Sequence, residues 1–199
     1  MTPRARQALY ALARWLPGPI VEIGSWVGLS TTAIARGIRD SLQGKRFDTI
    51  DLKLTADMYR RVEDGMAFYH PDDPIPLWIN SKSHCENEIL PVIGKPVGSN
   101  EILRASLARL QLSNLATDYV GDFIHFPAYT CRWLFCDTLH NLHEIQVTAP
   151  YLQRFLSRDS ILVCHDIGSH PELIKAVREA IPLGYGVSIE SLYIAEGPT

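Results

Sequence analysis

The chain has 199 residues, of which 46% are hydrophobic and 21% charged, with a formal net charge of -3. That is enough apolar material for one globular domain with a core that needs no disulfide staples. The mild acidity disfavours nucleic acid as a partner, and no apolar run is long enough to cross a membrane.

The chain opens with a helix over residues 1–18. Leu9, Leu12, Trp15 and Leu16 fall at helical spacing between arginines, Thr2 is a cap and Pro3 suits the first turn, so this is structure and not a targeting segment. The stretch PIVEIGSWVGLS (19–30) then predicts a buried strand, a glycine turn and the start of a second helix over Thr31–Ile38, with Ser30 as its N-cap. Its spacing, E-x-G-x-x-x-G-x-S, is neither the G-x-G-x-x-G of dinucleotide folds nor a phosphate-binding G-x-x-x-x-G-K-[ST] loop. Phe47–Leu52 is a second buried strand ending at Asp51, where a carboxylate can accept hydrogen bonds from a ribose diol.

Residues 53–99 are the least regular part. Asp57–Tyr69 can be helical. The segment from His70 to Pro96 holds five of the thirteen prolines and reads as loops with short turns. Its aromatic and imidazole groups, with Tyr59, Phe68, Tyr69, His70, Trp78 and His84 among them, suit a substrate lid; a surface excursion packing on itself or on a second subunit is the alternative. The apolar groups there are also compatible with a homodimer.

Regularity returns with a helix over Ser99–Leu110, capped by Ser99, and a third strand within Leu115–Phe126 that ends near Gly121-Asp122. Arg132–Asp137 is a fourth strand, followed by a helical stretch to Phe155 that Pro150 should kink or break. Ser160–Ile167 is a fifth strand ending in His165-Asp166. Ser169 and Glu172 have capping spacing ahead of a helix over Glu172–Ile181, and Tyr185–Ala195 is a terminal strand or hairpin. The four cysteines, Cys85, Cys131, Cys136 and Cys164, form no C-x-x-C pair and read as reduced thiols of a cytoplasmic protein.

Strands alternating with helices predict a single α/β domain over 1–199, a doubly wound, mostly parallel sheet with helices on both faces. Ligands of such sheets bind beyond the carboxyl ends of the strands. Glu22, Asp51, Asp122, Asp137, His165 and Asp166 all lie at such ends.

VEIGSWVGLST resembles the first motif of the class I S-adenosylmethionine-dependent methyltransferases, and the resemblance runs from Ile20 to Ile181 outside the insertion. It implies a Rossmann-like fold and S-adenosylmethionine as cofactor. Gly24, Ser25, Gly28 and Ser30 would form the loop under the donor's methionine part. Glu22 would lie near its amino group, Asp51 on the ribose, Asp122 on the adenine amino group, and Phe123 over the adenine face. FCDTLHN and LVCHDI resemble the stretches after the fourth and fifth strands of small-molecule O-methyltransferases of bacterial natural-product and sugar metabolism. Some branches hold Mg²⁺ or another divalent cation there, which implies Asp137, His165 and Asp166 as ligands. The other implied role is general base for His140 or His165 beside Asp137, without a metal. Thr138-Leu139 departs from the more frequent Gly-Asp ahead of His140, which leaves a non-catalytic partner protein on the same fold as the alternative. The methyl acceptor implied is a small hydroxylated molecule.

Overall fold

The computed structural model describes residues 1–52, 54–63, 65–94 and 98–199. Helix α1 (Pro3–Trp15) is capped as expected, its Thr2 hydroxyl accepting from the Ala5 N–H at 3.1 Å. Strand β1 (Ile20–Ile23) is followed by α2 (Leu29–Asp40) and β2 (Phe47–Asp51). After the insertion come α5 (Gly98–Arg109), β6 (Thr117–Val120), β7 (Trp133–Cys136), α6 (Leu142–Leu152), β8 (Ile161–Cys164), α7 (Pro171–Ala180), β9 (Gly186–Ile189) and β10 (Leu192–Glu196).

The main sheet has seven strands in the order β6-β2-β1-β7-β8-β10-β9. Pairing is parallel from β6 through β8, and β10 runs antiparallel to both β8 and β9, so the terminal segment is a hairpin on the sheet edge. The chain leaves β1 on one side for β2 and β6 and returns on the other side for β7 and β8. The strand order therefore reverses between β1 and β7, the place where open α/β sheets form a ligand crevice.

Side chains alternate across this sheet. Trp133, Phe135, Ile20, Phe47 and Val163 face α1, α2 and α5, whereas Leu134, Cys136, Val21, Ile23, Ile50 and Cys164 face α6 and α7. Both faces are covered, which is why the central strands are continuous apolar runs and not alternating ones. All four cysteines are free and buried. Among the described residues no helix is long and apolar enough to cross a membrane.

The insertion departs from the sequence expectation. In place of a helix over Asp57–Tyr69 there is a 3₁₀ turn (Ala56–Met58) and then two strands, β3 (Tyr59–Val62) and β4 (Gly65–Tyr69); β5 (Pro76–Ser81) completes an antiparallel sheet of order β3-β4-β5. The antiparallel pairing of Tyr59 with Phe68 and Val62 with Gly65 outweighs the weak helical spacing. Lys53, Asp64 and residues 95–97 of this segment lie outside the described residues.

The stretch expected as loop contains β5 and a helical run, α3 (Lys82–His84), a π-helical turn (Cys85–Ile89) and α4 (Leu90–Ile93). Tyr59, Phe68, Leu77, Cys85, Ile89 and Ile93 form a small core of their own, which rests on Trp26, Leu52 and Val147 of the main domain. Tyr59 and Phe68 are thus spent on internal packing.

Three caps also differ. Helix α2 starts at Leu29 with Gly28 (φ 90°) as N-cap, so Ser30 lies inside the first turn. Helix α5 begins at Gly98, so Ser99 is likewise inside it. Helix α7 is preceded by His170, and no side chain caps it. Pro150 does not break α6, which runs two residues further before a 3₁₀ turn (Gln153–Phe155).

Candidate active site

The glycine bend connects β1 to α2 at the crevice. Gly24 has φ 86°, and a Cβ there would stand 2.8 Å from the Asp137 carbonyl oxygen. A Cβ on Gly28 (φ 90°) would stand 2.3 Å from Leu103 Cδ1. Both positions require glycine on two counts, left-handed backbone and close approach. The approach is to β7 and α5, so the bend is clamped between its neighbours.

Asp51 sits at the end of β2 and reaches over this bend. Its Oδ2 accepts from the Ser25 hydroxyl at 3.1 Å and from the Trp26 N–H. Burial pushes its carboxyl up to about 6 against the lowering effect of the Trp26 and Ser25 hydrogen bonds. A carboxylate offers about four lone-pair directions, and these bonds leave some of them to a ligand. Glu22 is fully buried, its Oε2 accepting from the Thr31 hydroxyl at 2.6 Å, while Oε1 has no partner. Burial pushes Glu22 up to about 7 against the lowering influence of the nearby Ser30, Thr31 and Thr49 hydroxyls.

The second group of residues gathers on Asp137, just beyond β7. Its N–H bonds the Ile23 carbonyl at 2.9 Å and extends the β1–β7 ladder, which fixes its backbone. Asp137 Oδ1 is 2.8 Å from His165 Nδ1 and 3.7 Å from His140 Nε2. His165 Nδ1 also lies 3.2 Å from Asp166 Oδ1. Burial would raise the Asp137 carboxyl, yet the two imidazoles outweigh it and hold the group well below the usual carboxylate range. His140 is the reverse case: burial disfavours its charge, and Asp137 and Glu144 overcome this and push the ring up to about 10.

Glu144 was not legible as a site residue. It is buried at the start of α6, and its Oε2 accepts from the His140 N–H at 2.7 Å and meets His140 Nδ1 at 3.0 Å. Its place has a sequence signal, because Asn141 caps α6 by accepting from the Glu144 N–H at 3.0 Å, an N-x-x-E spacing, and His140 stands four residues ahead. The insertion adds Trp78, whose ring centroid is 5.4 Å from that of His140.

Asp137, His140 and Asp166 bring one ligand atom each within 4.8 Å of one another. His140 lies with the two carboxylates, and His165 stands beside them, its Nδ1 hydrogen-bonded to Asp137 and 3.2 Å from Asp166 Oδ1, with its Nε2 buried and unpartnered. Two carboxylates and an imidazole suit a hard divalent cation or a transition ion, and the Glu144 contact fixes the His140 ring as outer carboxylates do in metal sites. Asp166 is held there with φ 61°.

Asp122 follows β6 on the opposite rim. Its Oδ1 accepts from the Ile124 N–H at 2.9 Å and its Oδ2 is 3.2 Å from His70 Nε2 of the insertion. The Phe123 ring is buried in the core beneath α6, which gives it packing to do and little face to offer a ligand.

A family model described as a methyltransferase domain matches residues 21–167, the whole span from β1 to the end of β8 and the loop after it. The chain belongs to the methyltransferase domain family. Its fold agrees with solved structures across the class. The S-adenosylhomocysteine-bound methyltransferase PaMTH1 of Podospora anserina is 12% identical with a TM-score of 0.61, over 100% of this chain and 80% of that one. A methyltransferase of Geobacter sulfurreducens is 16% identical with a TM-score of 0.61, over 100% and 80%. The O-methyltransferase TomG of Streptomyces achromogenes, solved with S-adenosylmethionine, is 14% identical with a TM-score of 0.55, over 100% and 82%. No curated protein matches the chain. The likeness to these solved structures is one of fold.

Proposed function

We propose that this methyltransferase transfers a methyl group to the hydroxyl of a small molecule, with the donor seated over the glycine bend and the acceptor beside Asp137. The observation that carries the reading is the meeting of Asp137, His140 and His165 at the switch point of the sheet, next to the loop that Asp51 braces. O-methyltransferases among the structural neighbours support the choice of oxygen as acceptor.

The donor set fits S-adenosylmethionine. Asp51 would accept from the ribose hydroxyls with the oxygen capacity it has left, Asp122 would meet the adenine amino group, and the buried, unpartnered Glu22 Oε1 is an acceptor on the methionine side of the bend. When bound, the donor supplies a methyl group already activated by a sulfonium, so the protein's work is placement and proton handling.

His140 holds its proton at neutral pH, because Asp137 and Glu144 stabilise the imidazolium. It thus acts on an acceptor oxygen as a charged donor that stabilises the oxyanion, the hydroxyl proton leaving to solvent. Asp137 orients His140 and His165 together and stays ionised throughout. Mg²⁺ or another divalent cation would be held by Asp137, His140 and Asp166 and would lower the pKa of the acceptor hydroxyl. Binding it requires His140 to lose its proton, so metal and proton compete for the same ring. The insertion, docked on the crevice rim through His70 and Trp78, is the substrate lid in this reading.

The test is S-adenosylhomocysteine release from S-adenosylmethionine with a panel of phenols, catechols and sugar alcohols, with and without chelator. Asp137→Asn and His140→Ala should lower turnover by about two orders of magnitude while donor affinity stays within a few-fold. Asp51→Asn should instead weaken S-adenosylhomocysteine about tenfold or more by calorimetry. Donor binding without turnover of any acceptor would favour the non-catalytic alternative.

A further inference from the structure

Helices α1 and α2 lie side by side on the outer layer, closest at Gly37, where a Cβ would come within 2.4 Å of the Tyr10 carbonyl oxygen. Towards their N-terminal ends they frame a groove of about 350 Å³, lined by Arg6, Gln7, Tyr10, Thr32 and Arg36 with Pro3, Leu29 and Ala33. Pocket volumes of this order hold small ligands. Leu29 follows Gly28 directly, so the groove opens at the same end of the sheet as the glycine bend but on the outer face of α2.

Its lining is unusual in charge. The two helices carry the arginines Arg4, Arg6, Arg14, Arg36 and Arg39. Arg4 pairs with Glu190 at 3.6 Å, Arg39 with Asp40 at 2.8 Å, and Arg14 donates to the Tyr10 hydroxyl at 3.3 Å, which itself donates to Asp40. Among the described residues, Arg6 and Arg36, the two that face the groove, have no acidic partner, and no carboxylate lines it. Arg6 goes further: its Nε is buried and has no hydrogen-bond acceptor. A buried charged N–H without an acceptor is unfavourable, and a groove offering two guanidiniums and the Gln7 amide supplies donors in excess of acceptors.

We infer that this groove is an oxyanion subsite, in which Arg6 and Arg36 take a phosphate or carboxylate group of a small ligand. Guanidinium geometry matches both anions through paired N–H donors, and the unpaired Arg6 Nε gains the acceptor it lacks. The site is separate from the donor crevice, and it does not depend on the reading of Asp137.

Titration of the whole chain with sodium phosphate at constant ionic strength, followed by NMR through the amides of Gln7, Thr32 and Ala33, tests this. Saturable shifts are expected with phosphate but not with matched chloride, and a parallel titration with citrate separates a phosphate preference from a general oxyanion site. The surface change Arg36→Gln, which leaves the core untouched, should weaken binding about tenfold, and Arg6→Gln with Arg36→Gln should abolish the shifts. S-adenosylhomocysteine affinity should be the same in both variants and the parent. Absence of saturation, equal affinity in Arg36→Gln, or a joint loss of S-adenosylhomocysteine binding would overturn the inference.

Discussion

Glu22 and Asp51 are both buried carboxyls at strand ends, and burial raises both, to about 7 and about 6. A group whose folded pKa lies above its unfolded value adds stability that is complete below the unfolded pKa and is lost as pH rises through the folded one. For Glu22 that window runs from its ordinary 4.5 up to about 7. The shift corresponds to about 3 kcal/mol. Between these pH values the parent chain should lose stability relative to Glu22→Gln by that order. Asp137 behaves oppositely: its lowered carboxyl contributes above the ordinary carboxylate pKa and is lost only on acidification below it. Urea unfolding of parent and Glu22→Gln from pH 4.5 to 8 reads the difference directly, and a difference independent of pH would show that Glu22 is not buried as charge-averse. Position 22 was legible in sequence as a strand-end acid, but its environment was not. The three hydroxyls around it come from β2 and α2, and only the folded register brings them together.

At the scale of elements, the β1–α2 unit was readable because its glycines have no substitute, whereas the cap was misplaced by two residues. Ser30 satisfied the local rule for an N-cap, but the left-handed Gly28 directly precedes the first helical residue, Leu29, and takes that place. The insertion was illegible for a related reason: Tyr59, Phe68 and Leu77 look like scattered aromatics and aliphatics until β3, β4 and β5 pair and gather them into one core. The glycine argument has a measurable side. Gly28→Ala forces φ 90° on an L side chain and pushes against Leu103 Cδ1, which can rotate away, so a loss of about 2 kcal/mol is expected. Gly24→Ala meets the Asp137 carbonyl, which belongs to the extended β7 ladder and cannot yield cheaply, so it should cost more and also weaken the donor. Gly44→Ala meets nothing within 4 Å and is the neutral control. Chemical denaturation of the three variants should give the order 24, 28, 44, and equal stability for all would remove the clamp from the account.

Over the whole molecule, the insertion is a second small body set on the carboxyl-end rim of a rigid sheet. Its attachments are few and polar. His70 meets Asp122 at 3.2 Å, Asp73 meets His143 at 2.9 Å, and the Asn141 amide donates to the Leu77 carbonyl. The apolar support is Trp26, Leu52 and Val147. In contrast, β1, β7 and β8 are buried on both faces. Local opening is cheapest where apolar support is least, so the insertion should open well below the free energy of global unfolding. Such motion would give donor and acceptor access to the otherwise covered Asp51. Each half-buried His–Asp pair contributes about 0.5–1 kcal/mol, so His70→Ala with Asp73→Ala should raise the opening equilibrium about five- to thirtyfold. Hydrogen exchange should show faster amides in β3, β4 and β5 of this double variant, unchanged amides in β7 and β8, and renewed protection of the insertion when S-adenosylhomocysteine is added. Exchange of the insertion at the rate of the central strands, in parent and variant alike, would mean that it is a fixed part of the wall and that ligands enter by another route.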